Sequence, residues 1–360
     1  MKWLLLVLWS VLLLAADGAQ AEVLPKQPVV ASANAQATDA GLEILAAGGN
    51  AFDAAVAVSA TLGLVEPESS GLGGGGFFLL HLAGDDRQVF VDARERAPLA
   101  ASRDMYLDAE GNANRRLAVD GALAAGIPGL PAGLVHLAQN YGRLPLERSL
   151  APAIRLAREG WVFGRKNATM MGWRKPVLEK DPGASALFIV DGAIPAEGTR
   201  MRNPDYAATL ELLVREGHDG FYRGMLAERL VKGVRALGGI WSEQDLAEYR
   251  VVERAPLVIQ HRDFRIVTAP PPSSGGIALA QSLRILEGLP YSDADPVQRL
   301  HWFTEALRRA YRDRALYLGD PDFVSVPVDM LLSPHYAAGL RASIHPQKAT
   351  PSALLPGVAE

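Results

Sequence analysis

The protein is 360 residues long with a net charge of −4; 49% of its residues are hydrophobic and 21% are charged. A chain of this size and balance can bury a large core, as one big domain or two ordinary ones, and its mild acidity gives no ground for a nucleic-acid or anionic-membrane partner. It contains no cysteine, which excludes a thiol nucleophile, a thiolate metal site and disulfide stapling, so the fold must stand on packing alone.

The first segment predicts export. Lys2 precedes the apolar run Trp3-LLLVLWSVLLLAA, and Ala19-Gln20-Ala21 fits a small-x-small cleavage site. The run is short for a membrane-spanning helix, so residues 1–21 read as a signal peptide and the mature protein is expected in the periplasm or outside the cell. From Ala35 to Leu64 the pattern gives two helices joined by Ala47-GGNAF, with Gly48 and Gly49 ending the first and Asn50 or Asp53 capping the second. Next comes Ser69-SGLGGGGFFLLH, in which Gly71, Gly73 and Gly76 satisfy G-x-G-x-x-G. A dinucleotide loop needs the order strand, glycines, helix. Here an Ala-rich helix precedes the glycines and the apolar run from Phe77 follows them as a strand, so the order is wrong. The glycines instead predict close backbone packing where that strand begins.

A turn at Gly84-DD leads into a second strand, Val89-FVDA. If that strand continues to Arg96, alternation puts Arg94 and Arg96 on one face and Glu95 on the other. An arginine at the end of a buried strand beside a glycine loop suits bidentate capture of a carboxylate; two arginines in surface salt bridges are the plainer alternative. Helices follow from about Ala132 to Tyr141, Pro145 to Gly160 and Gly224 to Gly239. Ser242-EQD reads as a capping box, and Pro256-LVIQHRDFRIVTAP as a hairpin. Ser273 or Ser274 is a natural cap for the helix that follows. A long amphipathic helix from Pro296 to Leu318 stacks Phe303, Leu307 and Tyr311 on one face. The tail, residues 346–360, has linker composition. The seven histidines show no metal-ligand spacing, and neither a Walker A sequence nor a G-x-S-x-G elbow occurs. Asn167-Ala168-Thr169 is a formal glycosylation sequon.

Seven segments in order give the strongest signal: Gly71-LGGGGFF, Ala93-RERAP with Ala101-SRDMYLD, Gly126-IPGLPAG, Gly220-FYRG, Gly238-GIWSEQDLAEY, Ala269-PPPSSGG and Tyr317-LGDPDF. Together they resemble the gamma-glutamyltranspeptidases (glutathione hydrolases). The resemblance implies an α+β, Ntn-hydrolase-type αββα four-layer sandwich, of which residues 22–345 would form the large-subunit part. It also implies an exported precursor that cleaves itself, a small-subunit partner, and a nucleophilic threonine that leads that subunit and lies beyond Glu360. Thr350 does not match the nucleophile segment. By the resemblance Arg94 holds the α-carboxylate of the γ-glutamyl group. Glutathione and other γ-glutamyl amides are the implied donors, water, amino acids or dipeptides the acceptors, and no metal or organic cofactor is implied. An acylase or poly-γ-glutamate-processing relative is the alternative within the fold, and a non-catalytic exported binding protein the alternative outside it.

Overall fold

The computed structural model describes residues 27–355, so the signal sequence read in residues 1–21 lies outside the described residues. Helix α1 (Ala35–Ala46) and helix α2 (Ala51–Val65) pack as an antiparallel pair. The Asn50 side chain accepts from the Phe52 and Asp53 amides, and Asp53 accepts in return from the Asn50 amide, closing a capping box. Asp53 is buried and also accepts from the amides of Arg143 and Leu144, which ties the start of α2 to a distant loop. A carboxylate there also faces the positive end of the helix dipole.

Strands β1 (Gly76–Leu82) and β2 (Arg87–Ala93) form an antiparallel hairpin, with Gly76 opposite Ala93. Helices α3 (Leu130–Asn140) and α4 (Leu146–Glu159) cover it together with α2. The short strands β3 (Trp161–Val162) and β4 (Arg200–Met201) pair with each other around α5 (Arg165–Leu178) and α6 (Pro182–Phe188). Helices α7 (Pro204–Glu216), α8 (Asp219–Tyr222), α9 (Gly224–Ala236) and α10 (Glu243–Ala247) then return the chain to the sheet. Strand β5 (Val252–Arg254) adds to β2, so the sheet order is β1-β2-β5, while β6 (Leu257–His261) and β7 (Phe264–Thr268) make a separate hairpin. Helix α11 (Gly275–Glu287) packs against α12 (Pro296–Tyr317), and α13 (Val328–Leu331) and α14 (Pro334–Ala342) close that end.

The main core lies between the sheet and the helices and includes Leu80, Val91, Leu134, Leu137, Leu150, Leu210, Tyr222 and Tyr249. Each fully buried leucine there contributes about 1.5–3 kcal/mol of transfer free energy. A second cluster gathers Leu64, Trp161, Phe163 and Met171. Among the described residues no helix is long and apolar enough to cross a membrane.

Two expectations change, and the open choice between Ser273 and Ser274 is decided. Strand β2 stops at Ala93 rather than reaching Arg96, because the Arg94 amide turns back onto the Asp92 side chain (3.1 Å). Ser274 holds the cap position of α11, but its hydroxyl accepts from Arg314 Nε at 2.9 Å, and it is the Ser273 hydroxyl that accepts from the Gly275 amide at 3.3 Å. On α12 the Phe303–Leu307–Tyr311 row is not the buried face. Phe303 and Tyr311 are 43% and 60% exposed, whereas Trp302, Glu305, Ala306, Arg309, Ala310 and Asp313 point inward. Asn167 of the sequon is also buried, its amide donating to the Val65 carbonyl and the Glu68 carboxylate.

Candidate active site

Beyond β2 the chain leaves the sheet at Arg94, and the glycine-rich loop closes over the same point. A Cβ on Gly75 would come within 2.6 Å of the Ala93 carbonyl oxygen and the Glu95 nitrogen, so only glycine fits. The Gly75 amide donates to Glu95 Oε1 at 2.9 Å. The loop is held from its other side as well, since Gly74 O accepts from the amides of Gly129 and Leu130. Arg96 exchanges backbone bonds with Ile127 at 3.1 and 2.7 Å. Thus the Gly71 and Gly126 segments both brace the three residues Arg94, Glu95 and Arg96.

These residues line one wall of a cavity of about 510 Å³. Tyr249, Arg250, Arg254, Ser273, Ser274, Arg314 and the loop from Leu318 to Asp322 add to the lining. Five arginines (94, 96, 250, 254 and 314) share the cavity with four carboxylates (92, 95, 320 and 322). Several of these charges are already committed. Arg254 Nε donates to Asp92 Oδ2 at 2.9 Å, and its two terminal nitrogens grip Asp322 at 2.9 and 2.8 Å. That fork, followed by the bonds to Asp92, raises the Arg254 pKa against the opposing effect of burial, and Arg254 in turn lowers the Asp322 carboxyl. Glu95 is occupied by Gly75.

Among the described residues Arg94 and Arg96 are the cavity cations whose side chains form no hydrogen bond or ion pair, and Arg94 is the one set against an aromatic ring. Its side chain is exposed, lies over the Phe77 ring at 5.7 Å, and finds no hydrogen-bond acceptor among the described residues. A cation–π contact of this kind steers a guanidinium without using its donors. The fork therefore stays available to a planar anion in a locally positive cavity.

The gamma-glutamyltranspeptidase family profile matches residues 37–359. The chain belongs to the gamma-glutamyltranspeptidase family. It is 42% identical over 333 residues to the glutathione hydrolase proenzyme of Pseudomonas sp. (strain A14), covering 92% of this chain and 58% of that protein. Against the glutathione hydrolase proenzyme of Escherichia coli (strain K12) it is 38% identical, over 91% of this chain and 57% of the other. The chain therefore spans under three fifths of the length of these curated relatives. The crystal structure of Helicobacter pylori gamma-glutamyltranspeptidase superposes with a TM-score of 0.88 at 38% identity, over 92% of this chain and 96% of that one. The fold is accordingly the α+β Ntn-hydrolase type of this family.

Four of the seven family segments meet at the cavity, bringing Arg94, Tyr249, the pair Ser273 and Ser274, and Asp322. The Gly220-FYRG segment stands one layer behind, where the Tyr222 ring stacks on Tyr249 at 5.3 Å. Ala101-SRDMYLD does not reach the cavity; Tyr106 there bonds the Leu123 carbonyl. Arg254 was missed by sequence reasoning because it lies outside every quoted segment. Tyr249 and Asp322 lay inside segments, but nothing local marked them as neighbours of Arg94.

Proposed function

We propose that this chain is the large-subunit part of an exported enzyme that transfers and hydrolyses the γ-glutamyl group of glutathione and related amides. The observation that carries the reading is Arg94: an exposed guanidinium with no internal acceptor, set over Phe77 at a cationic cavity beside a loop whose position 75 admits only glycine. In this reading its fork grips the α-carboxylate of the donor, a planar charge-assisted pair that lysine cannot copy. That grip sets the γ-carbonyl against the nucleophile. A threonine hydroxyl at the head of the small subunit attacks that carbonyl, and the same threonine's α-amine takes its proton. The γ-glutamyl ester forms as the amide nitrogen of the leaving peptide is protonated and departs. Water or the amine of an amino acid then attacks the ester, giving glutamate or a new γ-glutamyl amide.

The small subunit also accounts for the reversed face of α12. Val297, Leu300, Phe303 and Tyr311 are 78%, 63%, 43% and 60% exposed, an apolar stripe that a second subunit would cover. Retention of the arginine favours a donor with a free carboxylate over the simple acyl chains of an acylase. The test is kinetic. In the processed enzyme, Arg94→Ala removes charged hydrogen bonds worth about 1.5–3 kcal/mol, which raises KM for γ-glutamyl donors roughly 10- to 150-fold. Arg94→Lys recovers only part of the loss. An Arg94→Ala enzyme that is processed normally and keeps its KM would remove the assignment.

A further inference from the structure

A carboxylate clamp works only if its guanidinium is held close to the productive geometry, within about 0.5 Å. Arg94 does not belong to a strand, so the sheet ladder does not hold it. Its backbone is fixed by side chains instead. The amide donates to Asp92 Oδ1 at 3.1 Å, and the carbonyl accepts from the Tyr249 hydroxyl at 2.8 Å. These bonds grip the residue on both sides of its Cα, the point from which the guanidinium swings.

Tyr249 is itself immobile. It is 1% exposed, and its ring stacks on Tyr222, with planes 11° apart. Tyr222 stacks in turn on His218 at 4.4 Å, and His218 Nε2 closes the loop by donating to the Tyr249 carbonyl at 3.1 Å. The Tyr222 hydroxyl is anchored too, donating to the Pro128 carbonyl at 2.8 Å. Space for the Tyr249 hydroxyl exists only because residue 129 is glycine: a Cβ there would lie 2.2 Å from that oxygen and from the Ala93 carbonyl. Asp92 is locked by the Arg254 bond to its other oxygen, and Arg254 by its fork on Asp322.

We infer that Tyr249 is a positioning residue for Arg94, seconded by the Asp92–Arg254–Asp322 chain, and that it governs recognition of the donor's carboxylate. The inference rests on the role proposed for Arg94. A tyrosine that merely filled the core would affect all substrates alike, whereas a positioning tyrosine affects only donors that use the arginine.

The experiment uses the full-length precursor after self-cleavage, with two donors: a γ-glutamyl anilide and the 4-aminobutanoyl anilide, which keeps the amine but lacks the carboxylate. Tyr249→Phe is expected to raise KM for the γ-glutamyl donor roughly fivefold, the scale of one hydrogen bond, with kcat within about twofold. On the 4-aminobutanoyl donor Tyr249→Phe and the parent enzyme should not differ. Added to Arg94→Ala, it should cause no further rise. An equal KM rise on both donors, a full additional rise in the Arg94→Ala background, or an unchanged KM would each overturn the inference. Should Arg94→Ala alone leave KM unchanged, the reading beneath the inference falls, and that outcome is distinct from a failure of Tyr249. If Tyr249→Phe does not fold, Asp322→Asn loosens the same arginine from the far end. It should give a smaller, carboxylate-dependent KM rise; a rise on both donors, or none, counts against the proposal.

Discussion

Replacing Glu305 with glutamine tests the buried charges of α12. Glu305 and Arg309 are each 1% exposed. Glu305 Oε2 accepts from Arg309 Nη1 and from the Thr350 hydroxyl, both at 2.6 Å, while Oε1 accepts from Arg308 Nη1 at 2.6 Å and the Thr350 amide at 3.2 Å. Burial alone would raise the Glu305 pKa, but the bonds from Thr350, Arg309 and Arg308 outweigh it and bring the carboxyl from 4.5 to about 2. A shift of that size represents about 3 kcal/mol of stability at neutral pH. Removing one partner of a buried pair costs about 3–5 kcal/mol by comparison with other proteins, so the two routes agree. The folded-state pKa is depressed, so the contribution is fully present above about 4.5 and is lost as the pH falls through 2. Urea denaturation at pH 7 should therefore show Glu305→Gln less stable by about 3–5 kcal/mol. At pH 3 the deficit should shrink by about 2 kcal/mol, because the parent protein has by then lost most of the same contribution. A deficit below about 1 kcal/mol at pH 7, or one of equal size at both pH values, would refute the reasoning.

Two further substitutions probe the loop and the sequon. Gly75→Ala forces a methyl group against the Ala93 carbonyl and the Glu95 amide. It should lower stability by about 1–3 kcal/mol and raise the donor KM, whereas Gly73→Ala, whose Cβ meets nothing within 4 Å, should do neither; equal effects would show that the close approach is not what matters. Asn167→Asp replaces the donor to Val65 and Glu68 with an acceptor. That change should destabilise the fold by about 1–3 kcal/mol, read as a lower Tm, and an unchanged Tm would place the side chain elsewhere.

Local chemistry was the legible part. The Asn50–Asp53 capping box, the Ser242–Asp245 box and the 257–268 hairpin all follow from residues a few positions apart. What could not be read depends on distant partners. The end of β2 at Ala93 is set by the Asp92 side chain and by Gly75 pressing in from another segment. The faces of α12 were reversed because Glu305, Arg309 and Asp313 are buried by pairing, with Gln281 and Tyr336 bonded to the last. A periodicity argument assigns charged residues to solvent and has no means of seeing such partners. The tail behaves similarly: its linker composition hides the hold that Glu305, Arg309 and Arg308 exert on Thr350 and Ser352. The sequence singles out Arg94 as a candidate because an arginine beside a glycine loop is chemically suggestive and because one of the ordered segments contains it. Tyr249 and Arg254 reach the same site only through contacts spanning 155 and 162 residues.

The most direct test of the whole account is intact-mass analysis with N-terminal sequencing of the native protein purified from its source. The account predicts two co-purifying polypeptides, one starting near Glu22 and carrying Arg94, the other beginning with threonine. A single uncleaved polypeptide, or a lone chain with no threonine-led partner, would contradict it.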